Sequence, residues 1–448
     1  METNRILRGD SIQVLKSVSE ETVDCIVTDP PYGYSFMNEN WDKTVPSIDI
    51  WRECLRVLKS GAFMFVMSAP RQDVLSQMII RLGQAGFNTN FTSIYWAYSN
   101  GFPKSLNISK AMDNRLNIKP EVVGIKELHI CADMYLHGGL KRKEHQVTVA
   151  SSEQSRKFEG SYSGFQPKPA VEIIIVCMKP LAKKTFVEQA LKNGKGVTWL
   201  DKSRIPFERD DIPINVKEHI STVVQLPLKR SEYAANNNGR FPVNLLVSDD
   251  VLNDGQVRHK GSNPIERPEG FVRFNGKDYG EAPSILHPVF TSTGYRDSGS
   301  FSRYFDLDAW FEEAISKLPE NVRKTFPFII CSKASSNEKN QGCEGVPEKE
   351  TPLLSSGAFE TNEGTKEHTK MKNSHPTVKP LKLMSYLITL GCREGDLILD
   401  PFVGSGTTCL AAEILNRRWL GIDINPEYCV IAEKRMSAQP VKLDRWFS

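Results

Sequence analysis

The sequence predicts an α/β protein built on a mostly parallel, doubly wound sheet, and three observations predict it. Apolar runs of strand length alternate with amphipathic stretches of helix length over residues 23–99. The same alternation resumes after residue 373. In each half one strand leads straight into a turn rich in proline or glycine, at the carboxyl end where open α/β sheets place their ligands. These turns are Asp29-Pro30-Pro31-Tyr32 and Asp400-Pro401-Phe402-Val403-Gly404-Ser405-Gly406-Thr407-Thr408.

Val23-Asp24-Cys25-Ile26-Val27-Thr28 reads as the first strand and enters the first turn. Ser47 can cap a helix in which Ile48, Trp51, Leu55 and Leu58 recur at helical spacing, with Gly61 closing it. Ala62 to Met67 is an apolar strand. The next helix, about residues 71–85, carries Val74, Met78 and Leu82 on one side and ends at Gly86. Phe91 to Tyr98 is a further strand, and Glu172 to Met178 another, expected as an antiparallel edge of the same sheet. Phe328 to Cys331 is a short strand in the middle region.

In the second half Pro380 opens a helix with Leu383, Leu387 and Leu390, stopped by Gly391. The strand Asp396 to Leu399 enters the glycine turn, a helix follows from Thr407 to about Asn416, and Trp419 to Asp423 is the next strand. A last helix begins at Pro426. A sheet divided this way is completed by pairing the two ends of the chain. The expected organisation is therefore a catalytic domain in two pieces, residues 1–180 and 373–448, around an inserted recognition region at 181–372. Within the middle of the chain, residues 255–300 and 332–372 are rich in Gly, Ser, Pro and charged residues and read as long loops.

At 448 residues the chain is long enough for two or three domains. Its start, Met1-Glu2-Thr3-Asn4-Arg5, lacks the apolar core of a signal peptide. The longest clean apolar stretch, Ile173 to Met178, is far too short to span a bilayer, so a cytoplasmic protein outside the membrane is expected. Nine cysteines with no C-x-x-C pair read as reduced thiols rather than a disulfide framework. His129, Cys131 and His137 match no common zinc spacing, so no metal is expected. The net charge is +3, and its excess lies in residues 100–372, where 39 Lys and Arg face 35 Asp and Glu. Lys141-Arg142-Lys143 and Lys229-Arg230 fall there, as a solvated surface or as a phosphate-contacting face.

The two turns suit a particular chemistry. An exocyclic amine on a nucleobase is a poor nucleophile because its lone pair is delocalised into the ring. Attack on a sulfonium methyl needs that lone pair turned out of conjugation and held in line. The Asp29 carboxylate and a proline carbonyl can do this by accepting the two amino protons. Tyr32 offers an aromatic face for an extruded base, a contact worth roughly 1–3 kcal/mol. Gly404 and Gly406 remove side chains where backbone comes close to a ligand. The turn is not G-x-G-x-x-G, so a pyrophosphate is not the expected ligand and a nicotinamide oxidoreductase is remote. Asp423, at the next strand end, stands where an acidic side chain accepts ribose hydroxyls, or alternatively caps the helix at Pro426.

These residues resemble those of the prokaryotic and phage DNA amino-methyltransferases, in the beta arrangement where the catalytic motif precedes the cofactor motif. Gly9-Asp10-Ser11 with Leu15 is similar to the family's opening motif, which implies Asp10 beside the adenine of the cofactor. Asp29-Pro30-Pro31-Tyr32 is similar to the catalytic tetrapeptide. His375-Pro376-Thr377-Val378-Lys379-Pro380 resembles the segment that closes over the methionine end, implying roles for Thr377 and Lys379. Asp400 to Thr408 resembles the cofactor loop, implying Asp400, Phe402, Gly404, Ser405, Gly406 and Thr407. Gly421-Ile422-Asp423-Ile424-Asn425 resembles the ribose-binding strand end, implying Asp423 and Asn425. Gly101-Phe102-Pro103-Lys104-Ser105, Lys168-Pro169-Ala170 and Gly239-Arg240-Phe241-Pro242 extend the likeness.

The resemblance implies a Rossmann-like, S-adenosylmethionine-dependent methyltransferase fold with one antiparallel strand. It implies double-stranded DNA as partner, a base flipped out of the duplex, and a restriction-modification setting, with or without a cognate nuclease. It also brings Tyr34 and Trp41 into view as DNA-facing residues. An initial Asp in the tetrapeptide is similar to enzymes acting on adenine N6, whereas Ser is more usual for cytosine N4. The alternatives are therefore an N4-cytosine enzyme and a catalytically silent DNA-binding protein on the same fold.

Overall fold

The structure is a computed structural model that describes residues 2–33, 44–98, 105–119, 121–130, 141–165, 170–206, 239–247, 252, 258–259, 271–274, 277–281, 298–299, 301–316, 339–340, 343, 349–352, 368–371, 373, 375 and 377–437. The chain forms two compact units. The larger comprises residues 1–99, 171–348 and 372–448, and the smaller residues 100–170 and 349–371.

The larger unit is organised on an eight-stranded sheet. Its strands are β1 (Arg5–Arg8), β2 (Cys25–Thr28), β3 (Phe63–Ser68), β4 (Ile94–Ala97), β5 (Val171–Met178), β6 (Leu245–Val247), β7 (Leu397–Asp400) and β8 (Arg418–Asp423). The spatial order is β1-β8-β7-β2-β3-β5-β4-β6. Only β5 runs against the rest, paired antiparallel with β3 on one side and β4 on the other. It therefore lies inside the sheet, not at the expected edge. The physical reason is pairing: its Ile173 to Met178 register with all six residues of β3 while Val171 to Ile174 register with β4. The edge is taken by β6, a three-residue strand parallel to β4.

Successive residues of the central strands alternate between two cores, as the two-residue period of a strand requires. Cys25, Val27, Phe63 and Phe65 face one, while Ile26, Met64 and Val66 face the other. A sheet buried on both faces needs helices on both. One face is covered by helices Ser11–Leu15, Ile48–Val57 and Gln72–Ala85. The helix at 48–57 buries Ile50, Trp51, Cys54 and Val57, and ends before Gly61 because Leu58 is already extended. The other face is covered by helices Leu381–Gly391 and Thr407–Ile414, and every residue of the first is buried. Helix Leu307–Ser316, from the middle of the chain, joins this face. Trp310 packs edge-on to Tyr386 at 4.9 Å, and Asp308 pairs with the buried Lys382.

At the amino ends of β2 and β7, Asp24 is buried and accepts the Leu397 N–H at 2.9 Å. Lys59 lies 2.6 Å from it and Lys195 2.8 Å, and Lys195 also reaches Asp396 at 3.0 Å. This cluster joins three distant stretches of sequence under the sheet.

The smaller unit holds a helix, Ile108–Arg115, capped by Asn107, and a hairpin of Glu121–Ile130 against Lys141–Val149. A short helix, Glu153–Arg156, and a strand pair, Lys349–Pro352 with His368–Met371, complete it. The regions expected as long loops thus contain short pairs, this one and Arg258–His259 with Ser298–Gly299 among them. The strand expected at Phe328 to Cys331 lies outside the described residues. No described helix is long and apolar enough to cross a membrane. The seven described cysteines are all free and buried.

Candidate active site

The direction of winding locates the site. From β2 the chain proceeds outward to β3, and from β7 it proceeds the other way to β8, so the sheet changes direction between β7 and β2. A crevice at the carboxyl ends of such a pair is where open α/β sheets take ligands. The two motif turns follow these two strands, so they are neighbours despite lying some 370 positions apart.

A carboxylate clasps the two turns together. Asp400 Oδ1 accepts the Thr28 hydroxyl at 2.7 Å and the Phe402 N–H at 3.0 Å, and Oδ2 accepts the Thr408 hydroxyl at 2.6 Å. Burial pushes the Asp400 carboxyl up to about 6, against these three hydrogen bonds. Asp400 is thus committed to its own chain. It fixes the site's frame from within.

The first corner is the turn after β2. Asp29 Oδ1 accepts the Tyr32 hydroxyl at 2.6 Å, and Oδ2 pairs with Lys379 Nζ at 2.7 Å. Glu172, at the start of β5, lies 3.3 Å from Lys379 Nζ and accepts the Tyr32 hydroxyl at 3.4 Å. The Lys379 ammonium sits 5.5 Å from the centre of the Tyr32 ring, within cation–π range. Burial lifts the Asp29 carboxyl above the ordinary carboxylate range; Lys379 opposes this and Glu172 adds to it. Burial works against the Lys379 charge, but Asp29 and Glu172 outweigh it and hold the ammonium above the usual lysine value. The Tyr32 hydroxyl is raised well above its usual value, by burial first and then by the two carboxylates.

The second corner is the glycine turn. Gly404 and Gly406 have φ of +51° and +86°, a region that L side chains rarely adopt. A Cβ on Gly404 would lie 2.5 Å from His375 Nε2, and one on Gly406 would lie 3.0 Å from the Ala432 methyl. The space that a side chain would need is therefore filled by protein. Close packing and positive φ are therefore reasons of their own for glycine at both positions. Arg435, buried on helix Pro426–Ser437, binds the turn from behind through Ser405 O at 2.7 Å, Ser405 Oγ at 3.1 Å and Thr407 Oγ1 at 3.1 Å. Phe402 packs edge-on to Trp51 at 6.1 Å.

Asp423, at the end of β8, accepts the Gly404 N–H at 2.9 Å and the Asn425 N–H at 2.8 Å. Burial raises its carboxyl, and those N–H groups oppose the rise. The helix at Pro426 is capped by Asn425, whose Oδ1 accepts the Glu427 N–H at 2.9 Å, and not by Asp423. Asp10 caps helix Ser11–Leu15 through the Gln13 N–H at 3.1 Å and is otherwise exposed. It follows Gly9, whose N–H binds Asp423 O at 2.9 Å, while Ser11 Oγ donates to Pro401 O at 2.6 Å. Asp10, Asp423 and the glycine turn are thus one neighbourhood.

A single short segment spans both corners. His375 covers Gly404 and stands edge-on to Tyr428 at 4.5 Å, while Lys379 reaches Asp29. Burial, then Lys379, Arg435 and Lys339, push the His375 imidazole down to about 3, so it is neutral. Thr377, between them, is exposed.

Two residues here escape the sequence reading. Glu172 is the one charge near the start of an otherwise apolar strand, which is a readable signal. Arg435 follows Tyr428, Ile431 and Ala432 at helical spacing, so it sits on the buried stripe of its helix. The bridge of Arg240 to Ile205 and its guanidinium 5.3 Å from the Tyr304 ring give Gly239 to Pro242 a packing role. Tyr34, Trp41, Gly101 to Lys104, Lys168, Pro169 and Pro376 lie outside the described residues, as do Cys131 and His137. Among the described residues no group of three or more His, Cys, Asp or Glu could hold a metal.

A family model, N6_N4_Mtase, described as DNA methylase, matches residues 23–434. The type II methyltransferase M2.DpnII of Streptococcus pneumoniae is 51% identical over 75 residues, 17% of this chain and 28% of that protein. The type II methyltransferase M2.LlaDCHI of Lactococcus lactis subsp. cremoris is 47% identical over 73 residues, 16% and 27% of the two chains. The chain thus aligns with little more than a quarter of the length of these relatives. Among solved structures, the M1.HpyAVI–SAM complex is aligned over 96% of this chain and 98% of its own, at 13% identity and a TM-score of 0.34.

Proposed function

We propose, from the premise that this chain belongs to the DNA methylase family whose model matches residues 23–434, that it methylates the exocyclic N6 of adenine in double-stranded DNA. The observation that carries this reading is the pair of motif turns at the carboxyl ends of β2 and β7, clasped by Thr28 and Asp400. A base amine and a methyl donor can then be held in one crevice, and catalysis is positioning plus charge stabilisation.

Asp29 is suited to accept an amino proton. Its two oxygens accept from Tyr32 and Lys379, and both donors also lie within reach of Glu172. The Pro30 carbonyl supplies a second acceptor, since proline carries no N–H, and the Pro31 ring stiffens the turn. The Tyr32 ring is a stacking face for a base turned out of the duplex. The Asp in first position favours adenine N6 over cytosine N4.

S-adenosylmethionine fits as donor, and bound it would supply an electrophilic methyl on a sulfonium. Asp423 and Asp10 would receive its nucleoside end, with Asn425 shaping that strand end. The peptide edges of Phe402, Gly404, Ser405, Gly406 and Thr407 would line it, and Thr377 and Lys379 would meet its amino-acid end. Asp400 contributes by holding the frame. The fit rests on Asp423: its oxygens retain acceptor capacity beyond the Gly404, Asn425 and Ile424 N–H groups they bind.

Residues 1–180 and 373–448 then carry catalysis, and target recognition falls within 181–372, part of which braces the sheet through β6 and helix Leu307–Ser316. The setting is cytoplasmic DNA modification, with a cognate restriction enzyme or as an orphan. The test is transfer of labelled methyl from S-adenosylmethionine to unmethylated DNA, followed by digestion to nucleosides. N6-methyladenine that disappears in Asp29→Ala is the expected result. N4-methylcytosine would move the reading to the other base, and incorporation unchanged by Asp29→Ala would remove the mechanism.

A further inference from the structure

Resting on the methyl-transfer reading, we propose that Glu172 is a positioning residue that receives the Lys379 ammonium and the Tyr32 hydroxyl when a base amine takes their place on Asp29. Both donors are shared. Lys379 Nζ stands 2.7 Å from Asp29 and 3.3 Å from Glu172, and Tyr32 Oη stands 2.6 Å from Asp29 and 3.4 Å from Glu172. In each case Asp29 is the nearer partner and Glu172 the second one within reach. Asp29 must turn its lone pairs to the amine, and the donors that occupy it need somewhere to go. A buried ammonium left unpaired is strongly unfavourable, so without a second carboxylate Lys379 would stay on Asp29 and compete with the substrate.

The architecture explains why Glu172 can serve. It enters from β5, the reversed strand between β3 and β4, whose amino end lies at the edge of the sheet where the parallel strands have their carboxyl ends. Among the described residues, the charged and titratable groups around Asp29 are Lys379 from the segment before helix Leu381–Gly391, Glu172 from β5, Tyr32 on the same turn and Asp400 from β7, with Tyr98 beyond Tyr32. Among these Glu172 alone combines negative charge with contact to both donors.

The test compares Glu172→Gln with Glu172→Asp. In Glu172→Gln, Lys379 loses its alternative carboxylate, so kcat falls roughly 10–100-fold, the scale of a mispositioned reacting group. The KM for S-adenosylmethionine stays within about twofold, because bound cofactor is not what Glu172 touches. The acid limb of the kcat/KM profile moves to lower pH, since one negative neighbour of Asp29 has gone. Glu172→Asp keeps the charge and keeps the limb near its wild-type position, even where its rate is reduced. A residue with only a packing role would lower activity in both variants and leave the limb of each unmoved; that outcome, or wild-type kcat in Glu172→Gln, overturns the proposal. Wild-type protein that methylates no DNA would instead remove the functional reading, so the two failures are distinct.

Discussion

Asp400 is buried and Asp29 largely so, and their surroundings differ. On the proposed mechanism Asp29 has to be ionised to accept an amine proton, and burial has lifted its carboxyl above the ordinary range. Activity should therefore begin to fall at a higher pH than an ordinary carboxylate would dictate. A kcat/KM profile whose acid limb lies at or below the model-peptide Asp value would contradict this. Asp400 sits at about 6 when folded and near the ordinary value of about 3.9 when unfolded. The folded chain then binds the extra proton between those values, so this group's contribution to stability declines as pH rises from about 4 to 6 and stays low above. Asp400→Asn removes that decline. The amide oxygen can still accept from Thr28 and Phe402, and the Thr408 hydroxyl can accept from the amide. Urea unfolding at pH 8 should find Asp400→Asn at least as stable as the parent; a loss of more than about 1 kcal/mol, the net worth of a typical hydrogen bond, would mean that the charged hydrogen bonds outweigh burial. Asp29 and Asp400 are legible in the chain because each opens a contiguous turn motif. Glu172 stands out in the chain as a charge in an apolar strand, but its nearness to Asp29 is not legible, because it depends on how β5 is inserted between β3 and β4.

At the scale of elements, strands β2 and β7 are held at both ends, by Thr28 with Asp400 at the top and by Asp24 with Lys195, Lys59 and the Leu397 N–H below. Asp24 and Lys195 of the lower cluster are buried, so removing the lysine leaves the Asp24 charge with Lys59 as its remaining cation. Lys195→Met should cost about 3–5 kcal/mol in urea unfolding, and a cost under 1 kcal/mol would mean that water or Lys59 compensates. Burial acts to raise Asp24, but the Leu397 N–H, Lys195 and Lys59 more than reverse it and hold the carboxyl below its ordinary value. Its contribution is therefore full above the unfolded value and is lost as pH falls through the folded one. The helices and strands of residues 23–99 and 380–437 are legible because their apolar spacing is regular over whole elements. Strand β6 has three residues and gains its identity from pairing with Tyr95 to Ala97, which no local pattern encodes. Helix Leu307–Ser316 does carry a signal: the Asp306 side chain accepts the N–H groups of Asp308 and Ala309, and Leu307, Trp310, Phe311 and Ala314 lie on one side. Its docking site on Leu381–Gly391 is what the sequence leaves open.

At the scale of the molecule, the sheet places β1 and β2, from one end of the chain, on either side of β8 and β7 from the other. The two motif corners therefore share one frame, and a ligand experiment can separate the roles proposed for them. A ligand that binds only the folded state stabilises it by RT ln(1 + [L]/Kd), about 2.7 kcal/mol at one hundred times Kd. S-adenosylhomocysteine, which lacks the transferred methyl, should raise the unfolding free energy of the parent by that amount when supplied at one hundred times its Kd. It should do the same for Asp29→Ala, because Asp29 belongs to the amine side of the crevice and its partners Tyr32 and Lys379 can turn to Glu172. Asp423→Ala should lose the effect, since that side chain both orients the Gly404 and Asn425 N–H groups and would hold the ribose. The variant would also start from lower stability, so the comparison is the increment on adding ligand and not the midpoint itself. An equal increment in Asp423→Ala would place the nucleoside somewhere other than the end of β8, and a lost increment in Asp29→Ala would mean that the two corners are one binding site instead of two.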